Sequence, residues 1–206
     1  MKSPKPQAQE MLETIDKCVN YSNKIINDLL DYSKEVRLEL QDESLKKLLT
    51  ESLGLLDISE KIEILNHLND KPTVKIDADK IKRVFINLIK NAIDAMPNGG
   101  KIIIDINQVN GSLEVSFSDT GVGIAEDVLP KLFSPLFTTK AQGMGFGLAI
   151  CKRIIEAHGG TITVKTVKDK GTTFTVTLLI EPKLEIGGEN TWINIPESSL
   201  STTMKQ

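Results

Sequence analysis

Residues 85–96 read FINLIKNAIDAM. Phe85, Leu88 and Ala92, with Ile81 one turn earlier, recur at helical spacing and form one apolar stripe. Asn87, Asn91 and Asp94 share an adjoining arc, about 60° wide on a helix that turns about 100° per residue. Polar groups beside a buried stripe need partners. Converging oxygen-bearing side chains are able to hold Mg2+, a hard cation that keeps several waters and binds phosphates. The alternative is that both amides tie down neighbouring backbone.

Working outward, Asp77 caps a predicted helix that runs to Met96 and stops at the breaker cluster PNGG, 97–100. KIIIDINQV (101–109) and SLEVSFSD (112–119) alternate around Asn110-Gly111, a hairpin signal. TITVKTV (161–167) and GTTFTVTLLI (171–180) form a second hairpin around 168–171. KIEILN (61–66) and TVKI (73–76) have strand character. Helices are expected over 44–56, over 125–133, and over 146–158, where Gly159-Gly160 ends the last. The pattern predicts an α+β fold: a two-layer sandwich of a mixed, largely antiparallel sheet and helices, preceded by a long helix.

That long helix is expected over residues 7–40. Met11, Ile15, Cys18, Ser22, Ile25, Leu29, Tyr32 and Val36 recur every three or four residues, and Leu12, Val19, Ile26 and Leu30 widen the stripe. Such a face needs cover, from its own domain or from a second copy. The domain boundaries read as 1–43 for this helix, 44–182 for the α+β unit and 183–206 for a polar tail, with Trp192 hinting at a docking point.

The chain has 206 residues, 40% hydrophobic and 26% charged, with net charge −3. The balance suits a soluble globular protein and argues against a nucleic-acid partner. No apolar run approaches the roughly 20 residues of a membrane span. Cys18 and Cys151 lie far apart and read as free thiols in a reducing, cytoplasmic setting.

Two glycine runs carry more. DTGVGI (119–124) follows a strand directly. Gly121 and Gly123 let backbone approach a flat ligand, and Asp119 is able to accept from an exocyclic amine. GMGFGL (143–148) opens a helix, whose free N–H groups and dipole favour phosphate. Between them, LFSPLFTTKAQ (132–142) offers Thr138, Thr139 and Lys140 as polar groups of a flap. Gly-Lys-Ser/Thr is absent, which excludes a Walker-type loop.

In order, NLIKNAIDAM, DTGVGI, LFSPLFTTK, GMGFGLAI and GTTF resemble the ATP-binding catalytic domain of sensor histidine kinases, within the superfamily that includes gyrase and mismatch-repair ATPases. The resemblance covers roughly residues 45–180. It implies the Bergerat-type ATP-binding fold, ATP and Mg2+ as ligands, and phosphotransfer in two-component signalling. By position, Asn91 and Asn87 would hold Mg2+, and with Lys140 they form the catalytic set. Asp119 would read the adenine amine, with Gly121, Gly123, Ile124 and Thr173 around the base. Phe133 through Lys140, including Thr138 and Thr139, would form the lid. Gly143, Gly145, Phe146, Gly147 and Leu148 would wrap the phosphates, and Asp94 would border them. His158, in EAHGG, is expected at a helix end in a structural role.

The family's second glycine box usually reads Gly-Thr-Gly-Leu-Gly-Leu; here Met144 and Phe146 replace Thr and Leu. In the gyrase-like branch a glutamate stands four residues before the metal-binding Asn and serves as general base. Here that position is Asn87, and an amide takes no proton at neutral pH. This favours phosphotransfer over hydrolysis. QEMLETIDKCVNYSNKIINDLLDYSK resembles the second helix of the family's dimerisation hairpin, but no acceptor pattern like His-Glu-Leu-Arg-x-Pro-Leu occurs. His67 and His158 are the only histidines. The chain therefore reads as a fragment of a cytoplasmic or membrane-anchored sensor, or as an enzyme acting on another molecule. Expected partners are an acceptor-histidine helix, a response-regulator receiver domain and a second copy through the first helix. A protein-serine kinase of this fold and a nucleotide-gated scaffold are the competing readings.

Overall fold

The structure is a computed structural model that describes residues 6–68, 71–140 and 145–181. The polar tail with Trp192, and Gly143 and Met144 of the second glycine run, lie outside the described residues. In chain order the elements are α1 (Pro6–Ser33), β1 (Gln41–Glu43), α2 (Leu45–Gly54), β2 (Ile62–His67), β3 (Val74–Ile76), α3 (Ala78–Asp94), β4 (Gly100–Val109), β5 (Ser112–Asp119), α4 (Gly147–Ala157), β6 (Thr161–Val167) and β7 (Gly171–Leu179).

Strand alternation builds the sheet. In β5, Leu113, Val115, Phe117 and Asp119 are buried on one face while Ser112, Glu114, Ser116 and Ser118 occupy the other. In β7, Thr172, Phe174, Val176 and Leu178 share the buried face. Five strands pair in the order β2-β4-β5-β7-β6. β2 and β4 run parallel, and the remaining pairs are antiparallel. Asn110 (φ 47°) and Gly111 (φ 78°) make the tight turn between β4 and β5.

The helices cover the apolar face. Ile81, Val84, Phe85, Leu88, Ile89 and Ala92 of α3 are buried, as the sequence stripe requires. The Phe85 and Phe117 rings meet with centroids 5.5 Å apart. α2 adds Leu45, Leu48 and Leu49, and α4 adds Ile150, Cys151, Ile154 and Ile155 to the same core. Each such side chain contributes about 1.5–3 kcal/mol by leaving water. The expected two-layer α+β sandwich with its mixed, largely antiparallel sheet is therefore present.

The start of α3 is fixed from three directions. Asp77 Oδ1 accepts from the Lys80 N–H at 3.1 Å, and its Oδ2 takes the Lys80 ammonium at 2.5 Å and the Glu39 N–H at 3.0 Å. Burial alone would raise this carboxyl, but the bonds from Lys80 and Glu39 outweigh it and hold the pKa below its ordinary value. His158 completes the anchor. Its Nε2 accepts from the Asp77 N–H at 3.0 Å, so Nδ1 carries the proton and donates to the Ile154 carbonyl at 2.7 Å. The imidazole thus joins the end of α4 to the cap of α3, a helix-end role.

Three elements differ from the sequence expectation. The first helix ends at Ser33, not near residue 40. Arg153 explains the stop: its guanidinium lies over the Tyr32 ring, 5.0 Å from the centroid, and donates to the carbonyls of Tyr32 and Lys34. Those are carbonyls that a continuing helix would have used. Residues 41–43 instead form β1, antiparallel to β3, which the polar triplet Gln-Asp-Glu did not announce. The helix expected over 125–133 is only a 3-10 turn over Leu129–Lys131. Successive i→i+3 bonds, Val128 to Ala125 and Lys131 to Val128, run through the stretch around Pro130, whose ring nitrogen has no proton to donate.

Candidate functional site

The site lies along the C-terminal half of α3, with one group of residues at each end. At the first end stand the amides. Asn87 and Asn91 are half-buried, and Asn91 Nδ2 donates to Asn87 Oδ1 at 3.4 Å. Lys140 Nζ donates to Asn91 Oδ1 and to Asp94 Oδ2, each at 2.7 Å. The Lys140 N–H is held by Thr138 Oγ1 at 3.1 Å, while Thr139 is exposed. Gly147 backs directly onto Asn87: a Cβ there would stand 2.9 Å from both amide atoms. A side chain there would push the Asn87 amide aside, and the contact sets the start of α4 against the amide pair. Gly145 (φ 71°) packs against the Phe137 backbone in the same corner.

A cation fits this end. The Lys140 ammonium already sits between an amide oxygen and a carboxylate, the hard-oxygen donors that Mg2+ selects. Among the described residues no group of three or more His, Cys, Asp or Glu side chains is able to hold a metal unaided. Bare Mg2+ would therefore bind here weakly, keeping most of its waters, and a tightly held ion would bring ligands of its own, as a phosphate-bound Mg2+ does.

The second end is built on Asp119, at the tip of β5. Its Oδ1 accepts from the Gly121 N–H at 2.8 Å and from the Thr172 N–H at 3.2 Å. Its Oδ2 makes no hydrogen bond among the described residues. Burial pushes the Asp119 carboxyl above its ordinary value, against the two backbone bonds that pull it down. Gly121 sits tightly on α3's end, where a Cβ would meet the Ala95 carbonyl at 2.6 Å. Gly123 (φ 68°) approaches the Val167 carbonyl just as closely. The Ile124 N–H donates to Thr166 Oγ1 at 2.9 Å, and Thr166 Oγ1 donates to the Gly171 carbonyl at 3.0 Å. With that proton committed, the 3.0 Å contact between Thr166 and Thr172 hydroxyls has Thr172 as donor.

Ile124 and Phe133 are half-buried against the core, as is Leu148. Phe146 is buried, with its ring 5.5 Å from Tyr32 of α1. The unusual aromatic in the second glycine box thus has an aromatic partner on the first helix. Thr173 is the residue that does not join the others. It lies on the sheet face opposite Asp119, with its hydroxyl 2.9 Å from Ser118. The threonine beside Asp119 is Thr172, its cross-strand partner. Strand alternation from Asp119 across β7 was the signal that would have found it. His67 is exposed and pairs with Asp105 at 2.6 Å, while His158 is buried with both ring nitrogens engaged.

Elsewhere, a cavity of about 150 Å3 lies between residues 34–36 and helices α3 and α4. A second, of about 250 Å3, lies outside the Gly121 turn, lined by residues 95–99 and Asp169. Neither contains Asn87, Asn91 or Asp119. The donors and acceptors above define the site better than these hollows do, because they converge.

The family described as histidine kinase-, DNA gyrase B- and HSP90-like ATPase matches residues 76–182. The sensor histidine kinase ZraS of Escherichia coli K12 is 36% identical over 176 residues, 84% of this chain and 38% of that protein. Sporulation kinase E of Bacillus subtilis is 32% identical over 166 residues, 78% of this chain and 22% of the kinase. This chain spans less than two-fifths of the length of these curated relatives. The nucleotide-free catalytic domain of histidine kinase ThkA superposes with a TM-score of 0.62 at 35% identity, over 70% of this chain and 97% of that one. ThkA in complex with the response regulator TrrA gives 0.72 at 32% identity, over 90% of this chain and 55% of that one.

Proposed function

Because this chain belongs to the histidine kinase-, DNA gyrase B- and HSP90-like ATPase family, we propose that it binds Mg·ATP and presents the γ-phosphoryl group to a histidine on another helix, as the catalytic region of a two-component sensor kinase. The observation that carries the reading is the pairing of Asn87 with Asn91 against the glycine that opens α4. That pairing brings the amides and the helix N–H groups to one spot, where a triphosphate needs both.

In this reading Asp119 Oδ2 accepts the adenine amine while Gly121, Gly123 and Ile124 shape the wall. Backbone N–H groups at Gly145 and Gly147 wrap the phosphates. Asn91, with Asn87, holds Mg2+, which supplies charge neutralisation when bound. Lys140, flanked by Thr138 and Thr139, turns to the phosphate. Hydrolysis lacks a base at position 87, which is an amide and takes no proton at neutral pH. The phosphoryl group therefore waits for an imidazole.

Neither histidine of the chain is the acceptor. His158 is buried with both nitrogens bonded, and His67 is tied to Asp105 on β4. The acceptor helix comes from outside the α+β unit, and a receiver domain takes the phosphoryl afterwards. The stripe on α1 supports self-association: Met11, Leu12, Ile15, Val19, Ile26, Leu29 and Leu30 are 45–68% exposed. No helix among the described residues is long and apolar enough to cross a membrane. An ATP-dependent kinase works on the cytoplasmic side, and we assign the chain there.

The test is incubation with γ-labelled ATP, with and without an acceptor-histidine domain. Acid-labile label on the added domain alone is expected. Label on His67 or His158 refutes the acceptor assignment. Magnesium-dependent binding with no transfer would instead favour the nucleotide-gated scaffold.

A further inference from the structure

Lys140 and Asp94 are 46 residues apart in sequence, yet the ammonium rests on the Asp94 carboxylate and the Asn91 oxygen together. A lysine is a compact charge on a flexible stem, so it goes where anionic oxygen is on offer. An amide oxygen that already accepts from an ammonium faces a full positive charge about 3 Å away. A divalent ion entering that space meets repulsion that falls only when the lysine leaves.

We infer that Asp94 is a positioning residue: before nucleotide arrives it holds Lys140 over the Asn91 oxygen as a resident counter-cation, which a divalent cation must displace. The consequence for ATP rests on the proposed metal role of Asn91; the placement of Lys140 does not. Charge balances in both states. Without nucleotide, Lys140 neutralises Asp94. With it, Lys140 swings to the phosphate oxygens and Asp94 faces the incoming cation. Removing Lys140 alone would leave a bare carboxylate facing the triphosphate. Removing Asp94 alone would leave the lysine without an anchor. The pair thus releases positive charge only as negative charge arrives.

Trypsin reads the first half of the inference, because it cuts after a lysine whose side chain is free to enter its pocket. In nucleotide-free protein, cleavage after Lys140 is compared with cleavage after Lys131, an exposed lysine with no bond to Asp94. Asp94→Asn should raise the Lys140-to-Lys131 ratio by up to about fivefold, the upper range set by an exposed ion pair. Magnesium chloride alone reads the second half, titrated against the Asn91 side-chain amide signal by NMR. Lys140→Met should tighten Mg2+ binding at that signal by up to about fivefold, because the competitor is gone. An unchanged ratio, or an unchanged magnesium affinity, overturns the inference. Neither readout contains nucleotide, so a failure of ATP to bind leaves both standing and sinks only the proposed function.

Discussion

Asp119 is gripped at one oxygen by two backbone N–H groups, from the Gly121 turn and from β7. Asn91 lies four residues before Ala95, on which Gly121 packs, about 6 Å back along α3 at 1.5 Å per residue, and among the described residues its side chain is held by other side chains, Asn87 and Lys140. The first arrangement is finished before any ligand arrives, since its partners are main chain and cannot move without unfolding the strand pair. The second is provisional, since each partner is exposed or half-exposed and has another use. In the proposed reading one end selects and the other adapts. That division is what a nucleotide site needs, because the base is the constant part of the ligand and the phosphates are the part that reacts.

Breaking the preformed end should produce the largest effect. Gly171 has φ 117°, and a Cβ there would overlap the Asp119 carbonyl. Gly171→Ala should cost about 3 kcal/mol or more of stability, which for a chain of this size lowers Tm by roughly 6–12 °C. Thermal unfolding followed by circular dichroism measures it. An unchanged Tm would mean the β5–β7 end is softer than its hydrogen bonds imply.

Asp119→Asn separates selection from stability at the same end. Both backbone bonds go to Oδ1, which an asparagine retains. The change replaces Oδ2, the oxygen proposed to accept from the adenine amine, by an N–H donor. Loss of a charge-assisted bond of about 1.5–3 kcal/mol weakens ATP binding by roughly 10- to 150-fold. The Asp119 pKa is raised in the folded protein, so its ionised form costs stability at neutral pH. The variant should therefore keep or slightly raise its Tm. Calorimetry and thermal unfolding on one sample decide the matter. At the provisional end, Asn91→Ala should reduce Mg·ATP affinity about tenfold, about 1.4 kcal/mol, and leave the affinity for metal-free ATP nearly unchanged.

The difference between the ends also sorts what the sequence disclosed. Periods of two and of 3.6, the Asp77 cap and the Asn110-Gly111 turn are local signals, and they marked β4, β5, α3 and the hairpins directly. The features it hid are those made by distant partners. α1 stops at Ser33 because of Arg153, and β1 exists because β3 runs beside it. Thr172 and not Thr173 stands beside Asp119, which follows from pairing register and cannot be read from the string GTTF alone. Lys140 was legible as a flap residue, but its anchor on Asp94 was not. Phe146, a departure from the glycine-box pattern, became intelligible only with Tyr32 against it.

The smallest effect concerns the frame that carries both ends. His158 is buried between Ile154 and the cap of α3, and burial lowers its pKa; Asp77 beside it raises the value less, and Lys80 lowers it further. With the folded pKa below the unfolded one of about 6.5, the unfolded chain binds the proton more readily. Stability from this group is thus complete above about pH 6.5 and is lost as pH falls from there through the folded value. Asp119 has the opposite sign, and its window begins lower, at the ordinary carboxylate range. Between pH 7 and pH 5.5 the Tm should therefore fall by a few degrees, about 1 kcal/mol at most. His158→Gln, which removes the titrating ring, should flatten that slope. ATP affinity measured well below Tm should be the same at both pH values, because neither Asp119 Oδ2 nor the Asn91 oxygen contacts the ring. A steep loss of affinity over this interval would instead make the α3 cap part of the binding equilibrium and erase the distinction between a fixed frame and an adaptable phosphate end.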